Sequence, residues 1–188
     1  MEPLDAFDQG LAEFGGRVHR VDGDRWDAGT PCRAWSVRDL VNHLTGEHLW
    51  APWLLRGATL AEVGDRFAGD VLGDDPVAAW DAAAEGSREA FHAPGALDTP
   101  VHTSSGLTPA DEYLRQITLD LAVHAWDLAR GAGLDDGLDP RLAEHGLRYA
   151  ESVSDALQGY GMFDPPVPVP ATAPVQDRLV ALLGRPPG

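Results

Sequence analysis

The chain has almost no cysteine, few basic residues and no long apolar run. Its single cysteine, Cys32, excludes an internal disulfide and any metal site built from several thiolates. Fourteen Lys and Arg against thirty Asp and Glu give a formal net charge of -16, which would repel nucleic-acid phosphates and anionic membranes. No stretch approaches the roughly 18 apolar residues of a membrane span, and the N-terminus lacks the basic region and apolar core of a signal peptide. We therefore expect a cytoplasmic protein with no nucleic-acid or membrane partner.

The sequence also lacks the signatures of several common enzyme classes. It contains no phosphate-binding glycine loop, no dinucleotide-binding fingerprint and no Gly-x-Ser-x-Gly. These absences argue against a P-loop nucleotide hydrolase, a nicotinamide-dependent dehydrogenase and a serine hydrolase.

What the chain does have is helical periodicity. Its 188 residues and 44% hydrophobic content suit one domain over residues 1–188. Apolar residues recur at steps of three and four, which predicts amphipathic helices. The predicted long helices cover residues 3–20, 36–55, 76–92 and 108–131, a fifth begins at Asp139 with Leu157 among its inward residues, and a short one begins near Val175. We therefore expect an all-α four-helix bundle with long crossover loops, on which residues 164–188, a proline-rich tail and short helix, pack as a C-terminal extension.

Capping signals mark where several of these helices begin. Ser36 followed by Asp39 resembles a capping box, and Asp75 before a proline predicts the cap of the helix over residues 76–92. Thr108 and Pro109 are expected to be the cap and the first residue of the next helix.

That helix, over residues 108–131, carries polar residues where a helix core should be apolar. Asp120 and His124 are one turn apart, so a carboxylate oxygen and an imidazole nitrogen can converge on one ion. A third ligand must come from another helix, and His43 combines a helical setting with a core-facing position. Nitrogen and oxygen ligands leave open positions and suit zinc, which we rank first, or nickel, manganese or iron(II). Spacing alone leaves a metal site and a hydrogen-bonded polar core equally open.

Two further acidic residues lie close in sequence to these candidate ligands. Asp127 either orients an imidazole behind the ligands or bonds Arg130 at the surface. Glu47, one turn after His43, could be a fourth ligand, a general base or the partner of a loop arginine such as Arg33, and we rank the arginine first.

The remaining candidates for chemistry are expected to have structural roles. Cys32 lies in a loop without a helical basic partner, which favours a packing role over a nucleophile. His48 comes five residues after His43 and should point away from the site, in an exposed setting like those of His102 and His145.

Three runs of sequence together resemble a known family. These are TPCRAWSVRDLVNHLTGE, LDLAVHAWDLARGAG and VPVPATAPVQDRLVALLGRPP, in this order along nearly the whole chain. They resemble an actinobacterial metal-binding family of the DinB-like, YfiT-like superfamily, related to the N-terminal domain of mycothiol-dependent maleylpyruvate isomerase. The resemblance implies a DinB/YfiT-like four-helix bundle in which His43, Asp120 and His124 hold a divalent metal. In the isomerase the acid is a glutamate, so Asp120 is one methylene shorter.

The resemblance also implies a class of reaction. Members of the superfamily include transferases in which a metal binds the sulfur of mycothiol or bacillithiol and lowers its pKa. The isomerase has a further C-terminal domain, whereas this chain ends with GRPPG, so we do not expect maleylpyruvate isomerisation itself. We expect a metal-dependent thiol S-transferase or a related detoxification or isomerase-like enzyme. Its partners would be a small-molecule substrate and a low-molecular-weight thiol. The sequence leaves open whether the protein forms a homodimer. The alternative is a non-catalytic bundle that binds a metal or a small ligand.

Overall fold

The computed structural model describes residues 1–154 and 163–188, and helices dominate this part of the chain. The helices are α1 (Pro3–Val18), α2 (Val37–Leu55), α3 (Leu60–Val63), α4 (Pro76–His92), α5 (Ala110–Ala132), α6 (Pro140–Ser152) and α7 (Val175–Leu182). A small hairpin of β1 (Val101–Thr103) and β2 (Gly106–Thr108) lies between α4 and α5, with Val101 paired to Thr108. The predicted all-α, DinB-like bundle is confirmed. The predicted inward position of Leu157 lies outside the described residues.

Local signals set most helix starts as predicted. The Ser36 side chain accepts from the Asp39 backbone N–H while the Asp39 side chain accepts from the Ser36 backbone, which completes the capping box of α2. Asp75 accepts from the backbone N–H of Ala78 and caps α4. The predicted start of α5 is wrong by one residue, because Pro109 is the N-cap and Ala110 is the first helical residue. Thr108 belongs to β2, and its hydroxyl bonds Thr103 across the hairpin at 2.8 Å instead of capping a helix.

Helix α5 lies at the centre of the bundle. It packs against α1, α2 and α6, while α2 also packs against α4. Gly10 of α1 allows close approach, because a Cβ there would come within 3.1 Å of the Leu121 Cβ. Gly131, near the C-terminal end of α5, allows the loop before α2 to approach in the same way: a Cβ there would come within 2.8 Å of the Thr30 Cγ2. This loop therefore lies directly against α5.

The C-terminal segment returns to the same region. As predicted, most of residues 164–174 form no regular structure, and this stretch is held by the Val167 backbone N–H, which donates to Ala181 at 2.8 Å. Helix α7 packs against α6, and the chain then turns at Gly184, whose φ is +81°. That left-handed turn favours glycine and sends Arg185 back toward α5.

None of the helices within residues 1–154 and 163–188 is both long enough and apolar enough to cross a membrane.

Candidate metal centre

Helices α2 and α5 bring the three predicted metal ligands together. The His43 Nε2 is 3.3 Å from the Asp120 Oδ2, and the His124 Nε2 is 3.3 Å from the Asp120 Oδ1. One ligand atom of each residue lies within 4.8 Å of the other two. The two imidazole rings are nearly perpendicular, with centroids 5.5 Å apart. Two ring nitrogens and a carboxylate thus converge on one volume, which is what coordination of a single ion requires.

Asp127 lies behind His124, on the side away from the other ligands. Its side chain is fully buried, and its Oδ2 is 3.0 Å from the His124 Nδ1. A carboxylate can only accept, so Nδ1 donates and Nε2 is left to face Asp120 and His43. Contact with Arg130, the second interpretation of Asp127, is wrong, since Arg130 pairs with Asp136 at 3.1 Å. Asp127 therefore orients the imidazole.

The electrostatics of the three residues favour a cation. Burial alone would lower the pKa of His124, but Asp120, Asp127 and Cys32 together hold it well above its usual value of 6.5. Burial likewise would raise the pKa of Asp120, and the adjacent His124 and His43 instead lower it. The cluster thus binds a proton strongly at the place where a metal ion would bind.

Two residues complete the surroundings of Asp127, and sequence reasoning missed both. Arg185, returned by the turn at Gly184, donates from Nη2 to the Asp127 Oδ2 at 2.8 Å and to the Cys32 Sγ at 3.1 Å. The Cys32 thiol donates to the Asp127 Oδ2 at 3.2 Å and lies 3.8 Å from the His124 Nδ1.

Cys32, His124 and Asp127 are also close enough to one another to share an ion. The Arg185 guanidinium touches two of them and would repel a second cation there. The expectation that Cys32 only packs is therefore incomplete, because its thiol bonds the carboxylate that holds His124.

A cavity of about 740 Å³ opens beside the triad, within the range of small-molecule sites. Its wall includes all three triad residues, and apolar side chains such as Ile117 and Phe163 line other parts. A second cavity of about 470 Å³ lies across α2 and shares Trp35, His43 and Glu47 with the first. The Trp35 ring lies against His43, with centroids 4.7 Å apart.

Glu47 lines both cavities, and its predicted pairing with Arg33 is wrong. Among residues 1–154 and 163–188, the side chain of Glu47 makes no hydrogen bond or ion pair with that arginine. Burial, followed by the nearby charge of Asp120, raises the pKa of Glu47. Its carboxylate therefore faces the cavities without a cationic partner from the loop.

The predicted exposed setting of His48 is also wrong. His48 is fully buried, its Nδ1 is 2.9 Å from the Ser87 Oγ of α4, and its ring stacks on Phe7 of α1 at 6.0 Å. Burial lowers its pKa to about 3. His48 is buried because α2 packs against both α4 and α5, so the face of α2 that points away from the cavity also belongs to the hydrophobic core.

Comparison with known proteins places these features in a family context. The family model described as the mycothiol maleylpyruvate isomerase N-terminal domain matches residues 7–129, a span that includes His43, Asp120, His124 and Asp127. Uncharacterised proteins from two strains of Mycobacterium tuberculosis are 32% identical over 192 residues, covering 98% of both chains. The ethanolamine ammonia-lyase small subunit of Rhodococcus erythropolis is 31% identical over 155 residues, covering 72% of this chain and 60% of that protein. No solved structure gave a significant match.

Proposed function

This protein belongs to the family of the mycothiol maleylpyruvate isomerase N-terminal domain, and we propose that it is a metal-dependent thiol S-transferase. The observation that carries the proposal is the convergence of His43, Asp120 and His124 on the wall of a cavity large enough for a small molecule. The thiol would be mycothiol or a similar low-molecular-weight thiol, which the description of the family suggests.

The residues present fit a divalent metal. Two imidazole nitrogens and one carboxylate form a donor set that suits zinc first, with nickel, manganese and iron(II) as alternatives. Asp127 already holds the far nitrogen of His124, the arrangement by which metalloproteins orient a ligating imidazole. When bound, the metal would act as a Lewis acid that lowers the pKa of a coordinated thiol.

The chain's own residues would supply the rest of the site. Asp127, Cys32 and Arg185 keep the His124 ring in one orientation through hydrogen bonds. Glu47 pairs with no arginine within the described part of the chain, and it faces both cavities. It is therefore placed to accept the proton that a thiol releases. The apolar wall formed in part by Ile117 and Phe163 suits a small hydrophobic electrophile.

Metal content and turnover test the proposal together. Purified protein should contain about one metal ion per chain by mass spectrometry and should conjugate mycothiol to a chlorobimane. His124→Ala should lose both properties. His19→Ala is the matched control, because His19 is exposed and pairs with Asp81 at 2.8 Å on another surface.

The outcomes separate the competing functions. Bound metal that depends on His124, without turnover for any of several thiols, would indicate a non-catalytic metal-binding bundle. Substoichiometric metal that His43→Ala does not reduce further would overturn metal binding, and the transferase with it.

A further inference from the structure

The cavity beside the triad contains a polar group that neither the fold nor the proposed metal uses. Tyr113 of α5 lines this cavity and is only 6% exposed. Its hydroxyl is buried and has no hydrogen-bond partner among the described residues. An unpaired buried hydroxyl is destabilising, so its presence at a cavity wall points to a ligand that completes it.

The position of Tyr113 is set by the helix and by its neighbours. It precedes Asp120 by seven residues, two helical turns on the same face, which separates the two backbone positions by about 10 Å along the axis. Its ring packs against Phe91 of α4, with centroids 5.6 Å apart, which restrains the side chain. A small ligand lying along the cavity could therefore reach the metal ligands at one end and Tyr113 at the other.

The charges around Tyr113 define what the hydroxyl can bind. Burial, followed by the negative charges of Glu47 and Asp120, raises the pKa of Tyr113, so the group remains an O–H donor. The Glu47 carboxylate, which holds no metal in the proposed site, would repel a carboxylate group on the part of a ligand nearest Tyr113. The acceptor that fits is an uncharged oxygen.

We propose that the Tyr113 hydroxyl donates a hydrogen bond to the neutral carbonyl oxygen of a small ligand bound along this cavity. This inference deepens the proposed function and rests on it for one point, namely that the ligand is the electrophile to which the thiol is transferred. The substrate class is then a small, largely apolar carbonyl compound.

Binding of two matched probes tests the inference without turnover. Acetophenone and α-methylstyrene have nearly the same shape, but only the first has a carbonyl oxygen. Their dissociation constants would be measured on purified protein, without thiol, by quenching of tryptophan fluorescence, since Trp35 lines the cavity. In Tyr113→Phe, acetophenone should bind about three- to tenfold more weakly, as expected for one neutral hydrogen bond, while α-methylstyrene should be unaffected.

Tyr149→Phe is the control variant, because Tyr149 lines the same cavity but already donates to Glu112. It should leave the ratio of the two dissociation constants unchanged. The loss in Tyr113→Phe should persist after the metal is removed with a chelator, which separates it from a carbonyl that binds the metal.

Equal weakening of both probes in Tyr113→Phe, or no ketone binding to the wild-type protein, would overturn the inference. The binding test does not depend on transferase activity. If the protein shows no thiol-transfer turnover but Tyr113→Phe still weakens acetophenone binding selectively, the proposed function is refuted and the hydrogen bond from Tyr113 is supported.

Discussion

The buried His48 should make the protein less stable in mild acid, by an amount that its surroundings set. Its ring lies between Phe7 and Trp80 and contacts Ser87, with no exposed surface, and its pKa is lowered to about 3. In the unfolded chain the pKa returns to about 6.5. Between these two values the unfolded chain binds a proton that the folded protein does not, so the free energy of unfolding falls as the pH falls.

The magnitude follows from the distance below the unfolded pKa. Each pH unit costs about 1.4 kcal/mol, so at pH 5 the loss due to His48 should be about 2 kcal/mol relative to neutral pH. Any folded pKa below about 4 gives nearly the same result at pH 5, because the folded protein is then unprotonated.

The perturbation that isolates this effect is His48→Gln. Glutamine can still hydrogen-bond the Ser87 hydroxyl but does not titrate. Urea unfolding of the wild type and of His48→Gln is measured at pH 7.5 and at pH 5 with a chelator present. This gives a free energy of unfolding for each protein at each pH. The wild type should lose about 2 kcal/mol more than the variant between the two pH values. The acids and histidines of the triad are present in both proteins, so their contributions cancel. Equal losses would refute the claim that His48 is buried as a neutral base.

Three further predictions concern the metal centre and the packing around it. Asp127→Asn should weaken metal binding about 10- to 100-fold, measured by competition with a chelator, because the amide no longer holds the His124 Nδ1–H as a carboxylate does; unchanged affinity would contradict its orienting role. Gly131→Ala should reduce the free energy of unfolding by about 1–3 kcal/mol, because its Cβ would lie 2.8 Å from the Thr30 Cγ2. Gly16→Ala, whose Cβ would meet no atom of residues 1–154 and 163–188 within 4 Å, should not destabilise the protein, and equal effects of the two substitutions would contradict the close approach at Gly131. Ser36→Ala should reduce the free energy of unfolding by about 1 kcal/mol in chemical denaturation, because α2 loses its capping box, and an unchanged midpoint would contradict it.

Much of the fold was predictable because its signals are local. Helix ends depend on residues within one turn, as at Ser36 and Asp75, and prolines exclude regular helix wherever they cluster. The start of α5 was not predictable from local signals, because Thr108 pairs with Val101 across a hairpin, and a helical pattern gives no information about such a contact. The relation of Asp120 to His124 is likewise local, a single turn of α5.

Local sequence patterns could not predict which residues hydrogen-bond Asp127 behind the metal ligands. Cys32 and Arg185 meet Asp127 from a loop and from the C-terminal end, 95 and 58 residues away along the chain. The only signal that could have found them is that both lie in runs carrying the family resemblance. Tyr113 had no such signal, since an aromatic residue on a helical face usually belongs to the core.

What the sequence by itself determined is where α2 and α4 begin, and that Asp120 and His124 face one side of α5. Both follow from the period of the helix and from the hydrogen bonds at its ends, which involve near neighbours only. Only the tertiary structure decided that α2 brings His43 to that side and buries His48 on another. It also decided that Arg185 and Cys32 hold Asp127 behind the imidazole. These arrangements depend on how separate helices pack, and the same periodic pattern is compatible with several neighbours for each helix face.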